Sequence, residues 1–165
     1  MPVDLTQRST RELFKLFVAA LAELKDRGVT RSTNNPIADY AELLFEVALG
    51  LKRTPKSTKG HDAIDSNGLK YEIKGRRVTA HNSSRQLSSL RALDQKHFDF
   101  LGGILFGDDF SVLRACVVPH DQVLKNSTFS THTNSSIFHL RDSIWMLPGV
   151  VDVTTKLQEA EQAHG

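Results

Sequence analysis

The sequence predicts a single α/β domain, a sheet covered by helices on both faces, and three observations support that expectation. The stretches FDFLGGILF (98–106) and FSVLRACVV (110–118) are apolar almost continuously rather than at alternate positions, the pattern of strands buried on both faces. Segments with helical spacing stand on either side of them in the chain, which calls for a layered arrangement. The 165 residues suffice for one core without disulfides or a structural metal, and no repeat or linker divides them. The expected division is a domain over 1–155 and a C-terminal tail over 156–165.

The first helix is expected over 9–27. Ser9 and Glu12 form a capping box, and Leu13, Phe14, Phe17, Leu21 and Leu24 recur at helical spacing until Gly28. After the polar linker TRSTNN, Asn35 reads as the N-cap of a second helix with Pro36 at its first position. That helix ends at Gly50 and is apolar nearly all round, so it is expected to pack on more than one side. Residues 51–60 form a basic loop or short strand, and GHDAIDSNGLKYEIKGRR (60–77) is a hairpin about an Asp-Ser-Asn-Gly turn.

The spacing of Leu87, Leu90, Ala92 and Leu93 predicts a helix from Ser84 to about Lys96. The two apolar strands follow, joined by a Gly-Asp-Asp turn, with Gly102-Gly103 marking a bulge or close packing. Pro119–Leu124 reads as a short helix, 125–136 as a polar loop, 137–140 as a last strand, and the tail after Thr155 as a fraying helix.

Composition narrows the function classes. Cys116 is the single cysteine and lies in an apolar run, so no intramolecular disulfide forms and a reducing compartment is expected. The N-terminus lacks the apolar stretch of a signal peptide, and no apolar run approaches the roughly 20 residues of a membrane span. A cytoplasmic protein is expected. The seven histidines show no zinc-ligand spacing, and no G-x-S-x-G elbow is present. Net charge is +2, yet ten basic residues stand against three acidic ones between Lys52 and Arg91. Such a patch suits a polyanion, although a solvated basic face has the same composition.

The hairpin carries the chemistry. With Ser66-Asn67-Gly68 as a three-residue loop, Ala63 faces Tyr71 and Asp62 faces Glu72, and Lys74 points the same way as Glu72. A two-residue Asn-Gly loop would instead put Asp65 on the face of Glu72, but Asp65 has a plainer task in capping the turn. Two carboxylates this close repel, and a hard cation such as Mg²⁺ keeps both ionised. With a lysine beside them, metal-assisted phosphodiester hydrolysis is the expected chemistry.

Asp62-x(9)-Glu72-x-Lys74 on a hairpin, after a helix bearing a glutamate, resembles the PD-(D/E)xK restriction-endonuclease-like superfamily, and the span from Asp62 to Lys74 is similar to the active-site hairpin of small type II restriction enzymes. The resemblance implies a restriction-endonuclease-like core with a central mixed sheet. It implies Asp62 and Glu72 as ligands of Mg²⁺, with Mn²⁺ as a substitute, and Lys74 as the catalytic lysine. His61 stands where a proline is common in the superfamily.

Asp39, Glu42 and Glu46 form one stripe on the second helix, ordinarily a solvent face. By resemblance such a helix contributes a glutamate to the site, and Glu42 is the candidate. Arg76 and Arg77 follow the catalytic strand, Lys59 precedes the hairpin, and Arg85 and Gln86 open the expected third helix, positions from which each could contact DNA. The resulting expectation is a DNA endonuclease of restriction or defence type, a homodimer because cutting two strands takes two sites. The alternatives are a repair or junction-resolving nuclease, or an inactive nucleic-acid-binding or assembly module.

Overall fold

The computed structural model describes residues 3–164. The helices are α1 (Thr10–Asp26), α2 (Ile37–Leu49), α3 (His120–Asn126) and α4 (Thr154–Ala163). The strands are β1 (Lys52–Arg53), β2 (Ala63–Ile64), β3 (Lys70–Arg77), β4 (Phe100–Phe106), β5 (Val112–Pro119), β6 (Thr128–Ser130), β7 (Ser135–Ile137) and β8 (Val151–Asp152). Six of them make one sheet in the order β1-β2-β3-β4-β5-β8. Only β3 and β4 run parallel, so the sheet is mixed.

The continuous apolarity of β4 and β5 has the expected cause. Ile104, Phe106, Ala115 and Val117 face a core layer with Leu44 and Phe45 of α2 and Leu157 of α4. Their neighbours Leu101, Leu105, Cys116 and Val118 face a second layer with Leu87, Leu90, Val123, Phe138 and Leu140. The adjacent glycines let both layers close on the sheet. A Cβ at Gly102 would lie 2.9 Å from the Phe45 ring, and one at Gly103 would lie 3.0 Å from Leu140. They mark close packing; the ladder irregularity falls instead between Leu105 and Phe106.

Helices do not cover both faces equally. The expected helix over 84–96 is absent: this stretch is extended, bridged at Gln86 to His139 and at Leu90 to Ser136, with a short 3₁₀ turn at Leu93–Gln95. Leu87 N–H donates to Phe138 O (3.0 Å), and Leu140 N–H donates to Arg85 O (2.9 Å). Leucines at every third residue suit one side of an extended segment as well as a helix, and serines at 83, 84, 88 and 89 offer the backbone local alternatives to helix. The second layer is therefore closed by extended chain, α3 and a 3₁₀ turn at Asp142–Met146.

Two other expectations are corrected. The tail is helix α4, with Leu157 fully buried and Ala160 4% exposed, so it belongs to the domain rather than fraying from it. The expected loop over 125–136 ends α3 and forms most of the β6–β7 hairpin, whose pairing runs on to Ile137. β8 was not anticipated. At the N-terminus the capping box is present, with Ser9 N–H donating to Glu12 Oε2 (2.8 Å) and Glu12 N–H donating to Ser9 Oγ (3.3 Å). Yet α1 buries none of its residues. Among the described residues no helix is long and apolar enough to cross a membrane.

Candidate active site

The hairpin folds in the three-residue-loop register. Ala63 pairs with Tyr71 and Ile64 with Lys70, Asp65 N–H donates to Leu69 O (3.0 Å), and Gly68 takes a left-handed φ of 81°. Asp65 Oδ1 accepts the N–H groups of Asn67 (2.8 Å) and Leu69 (3.0 Å), so its carboxylate is spent on the turn. That leaves Asp62 as the acid of the first strand.

Pairing between β2 and β3 stops at Ala63–Tyr71. Asp62 N–H donates to Tyr71 O (2.8 Å), and its side-chain Oδ2 accepts the N–H of Ile73 (2.7 Å). A carboxylate thus takes a strand amide that a neighbouring carbonyl would otherwise hold, which fixes the Asp62 rotamer at the point where the edge of β3 opens. Beyond it, β3 has β4 on one side and a groove of about 610 Å³ on the other, into which Glu42, Asp62, Lys74, Arg76 and Gln86 project. Lys74 also lines a neighbouring cleft of about 380 Å³ with Glu72, Lys59 and Arg91. Lys74 Nζ lies 2.9 Å from Glu72 Oε1, and these side chains are 21% and 15% exposed. They are shielded but reachable.

The electrostatics follow from this crowding. Burial, then the charge of Glu72, and further the charge of Glu42 push the Asp62 carboxyl up to about 7, against the opposing pull of the Ile73 amide and Lys74. Glu42 is also raised, by burial above all, while Arg31 counters. Arg31 was not anticipated as a site residue. Its guanidinium bonds Glu42 and donates to Thr54 O (2.8 Å), and its backbone N–H donates to Asp39 Oδ2 (2.8 Å). Placed in a polar linker with no periodicity, it gave no signal in the sequence.

The acidic stripe of α2 is not a solvent face. Asp39 and Glu42 are buried, and Arg31, Lys56 and Arg53 pair with Glu42, Asp39 and Glu46 in turn. Burial raises the Asp39 carboxyl, but the Lys56 and Arg31 contacts outweigh it and leave it below the usual range.

Of the expected DNA-contacting residues, Arg76, Gln86 and Lys59 reach the two clefts. Arg77 does not. It points to the other side of β3, bonded to Asp108 (2.7 Å) with its guanidinium 5.0 Å from the Phe110 ring centroid. Arg85 is turned to Asp142 (2.6 Å), and with no helix at 84–96 there is no helix N-terminus beside Gln86 to favour a phosphate.

The donor set consists of carboxylate oxygens, the ligands that hard cations take. No group of three or more His, Cys, Asp or Glu close enough to hold a metal ion occurs among the described residues. Two carboxylates, with water and phosphate completing the shell, remain compatible with Mg²⁺, and the Asp62 carboxyl, raised by burial first and then by the charges of Glu72 and Glu42, is one whose ionised form a cation would stabilise. Compared with known proteins, the chain matches no family model and no curated protein. Fold and site together define an α/β protein with a mixed sheet and a carboxylate–lysine cluster at an open strand edge.

Proposed function

We propose that this protein is a metal-dependent DNA endonuclease with a restriction-endonuclease-like core. The observation that carries the reading is the convergence of Asp62, Glu72 and Lys74 on adjoining clefts at the open edge of β3, with a carboxyl at Asp62 raised by burial and then by its acidic neighbours. Asp62 and Glu72 would hold Mg²⁺, or Mn²⁺ in its place. The bound ion supplies Lewis-acid stabilisation of a phosphoryl oxygen and a more acidic water. Lys74, already drawn to Glu72, offers an ammonium to hold a nucleophilic water and neutralise charge as the phosphorus is attacked. Glu42, anchored by Arg31 in the same groove, would accept a hydrogen bond from that water. Arg76 and Lys59 supply cations along the strand path.

The groove extends past the site. The cleft at Glu72 shares Arg91 and Ala92 with a third, of about 670 Å³, that runs to Phe129 and Asn134 on the β6–β7 hairpin. A polynucleotide has the linear shape to follow such a path.

The deciding experiment is incubation of supercoiled plasmid with the purified protein in Mg²⁺ or EDTA, beside Glu72→Ala and Lys74→Ala. Nicking or linearisation is expected only for wild type with metal, and each variant is expected to lose about 10²-fold or more in rate. Undiminished cleavage by Glu72→Ala would remove the mechanism. The second reading, a nucleic-acid-binding module that hydrolyses nothing, draws on the engagement of Glu42 by Arg31 and of Glu72 by Lys74. DNA binding without any cleavage would favour it.

A further inference from the structure

We infer that the cleft beside the β6–β7 hairpin seats one unpaired nucleobase of the strand held at Glu72 and Lys74, stacked on the ring of Phe129, so that the substrate is DNA with an unpaired base near the cut. This role rests on the nucleic-acid path proposed above, though not on hydrolysis.

The path is walled by the segment whose leucine spacing predicts a helix. Leu87, Leu90 and Leu93 are buried in the second core layer, while Gln86, Ser88, Ser89 and Arg91 between them are exposed. Residues 86–89 border the groove of about 610 Å³ with Asp62, 89–92 the cleft of about 380 Å³ with Glu72, and 91–95 the cleft of about 670 Å³. One run of chain thus passes all three spaces in order. Its hydroxyls and arginine are groups that contact phosphate. At about 3.3 Å per extended residue, Gln86 and Arg91 stand on the order of 15–20 Å apart, the length of a few nucleotides.

Backbone pairing places Phe129 at the end of that path. Ser136 N–H donates to Leu90 O (2.7 Å) and Leu90 N–H donates to Ser136 O (3.0 Å), while Ser136 pairs on its other side with Phe129. Opposed residues share a face, so Leu90, Ser136 and Phe129 form one row from the core out to the third cleft. Leu90 is 3% exposed and Phe129 61%. The ring lies outside both core layers, yet the hairpin holds it in the cleft. Ala92 and Asn134 line the same cleft at φ 49° and 46°, left-handed backbone of the kind that persists at ligand sites.

The lining selects the ligand. An exposed aromatic face stacks on any base. The side-chain amides of Gln95 and Asn134 both donate and accept, which suits the edge of an unpaired base. A paired base is already stacked and bonded along that edge, so it offers the cleft neither surface. Arg53, Lys56, Lys74, Arg77 and Arg85 are held by carboxylates, which leaves charge a limited hold on the strand and gives stacking a larger share.

Fluorescence anisotropy on the full chain carrying Lys74→Ala, in Mg²⁺, reads binding without cutting. The probes are one labelled DNA as a fully paired duplex, as the same duplex with a short gap, and as the single strand. The gapped and single-stranded forms are expected to bind about tenfold or more tighter than the duplex. Adding Phe129→Ala is expected to weaken those two by about tenfold or more and to leave duplex binding and the thermal melt unchanged, whereas Phe129→Trp keeps the preference. Equal affinity for paired and unpaired DNA overturns the stacking role, as does a preference that survives Phe129→Ala, or binding to none of the three probes. Cleavage is scored apart, on wild type with plasmid. A preference that depends on Phe129 without any cleavage sinks the nuclease reading and keeps the stacking role, and cleavage without a preference does the reverse.

Discussion

At the scale of single residues, Asp62 concentrates the energetic conflict of the site. Its folded carboxyl titrates at about 7 against an ordinary 3.8, so between those values the native state holds a proton that the unfolded chain has released. Stability is therefore expected to fall as pH rises through that window, with the cost of the ionised, half-buried group complete above about pH 7. Asp62→Asn keeps an oxygen for the Ile73 amide and removes the charge. In metal-free buffer it is expected to be more stable than wild type by roughly 2–4 kcal/mol at pH 8, with the difference vanishing toward pH 4. Urea denaturation of both proteins across pH checks this; parallel stability curves would refute it. The same reasoning predicts that Mg²⁺ stabilises wild type at pH 8 and has no such effect on Asp62→Asn, readable as a thermal shift.

Among the elements, α4 and the segment over 84–96 depart furthest from their sequence signals. KLQEAEQAHG is too polar to look like a core helix, yet two of its apolar side chains, Leu157 and Ala160, are buried beside α2 and β5. Thr154 Oγ1 also accepts Ala115 N–H (3.0 Å), and Glu161 Oε1 accepts Val112 N–H (3.1 Å). Leu157→Ala is expected to cost about 2–5 kcal/mol in denaturant unfolding, where a frayed tail would show no change. The 84–96 segment shows the opposite failure. Apolar spacing alone did not distinguish helix from extended chain, because what decides is the row of bridges to 136–140, a contact some fifty residues away in sequence. The hairpin was legible because a glycine at 68 and a capping Asp65 fix its register locally.

For the molecule as a whole, charge is the property that folding altered most. Ten basic residues lie between Lys52 and Arg91, but Arg53, Lys56, Lys74, Arg77 and Arg85 are each held by a carboxylate. The cations left along the clefts are fewer, Lys59, Arg76 and Arg91 among them. The salt dependence of DNA binding is accordingly expected to report release from about three to five phosphates rather than ten. Fluorescence anisotropy of a labelled duplex between low and physiological salt measures that slope, and a slope near ten would mean that the internal pairs open on binding.

The sequence by itself determined what short-range rules govern: the capped first helix, the hairpin register that leaves Asp62 rather than Asp65 available, and the doubly buried strands. Tertiary structure alone decided that Arg31 holds Glu42, that Arg77 and Arg85 turn away from the clefts, that the C-terminal helix is core, and that the apolar side of α1 is left bare. The physical reason is separation along the chain. Turn geometry and periodicity act over a few residues, whereas ion pairing and burial depend on which distant segments the fold brings together.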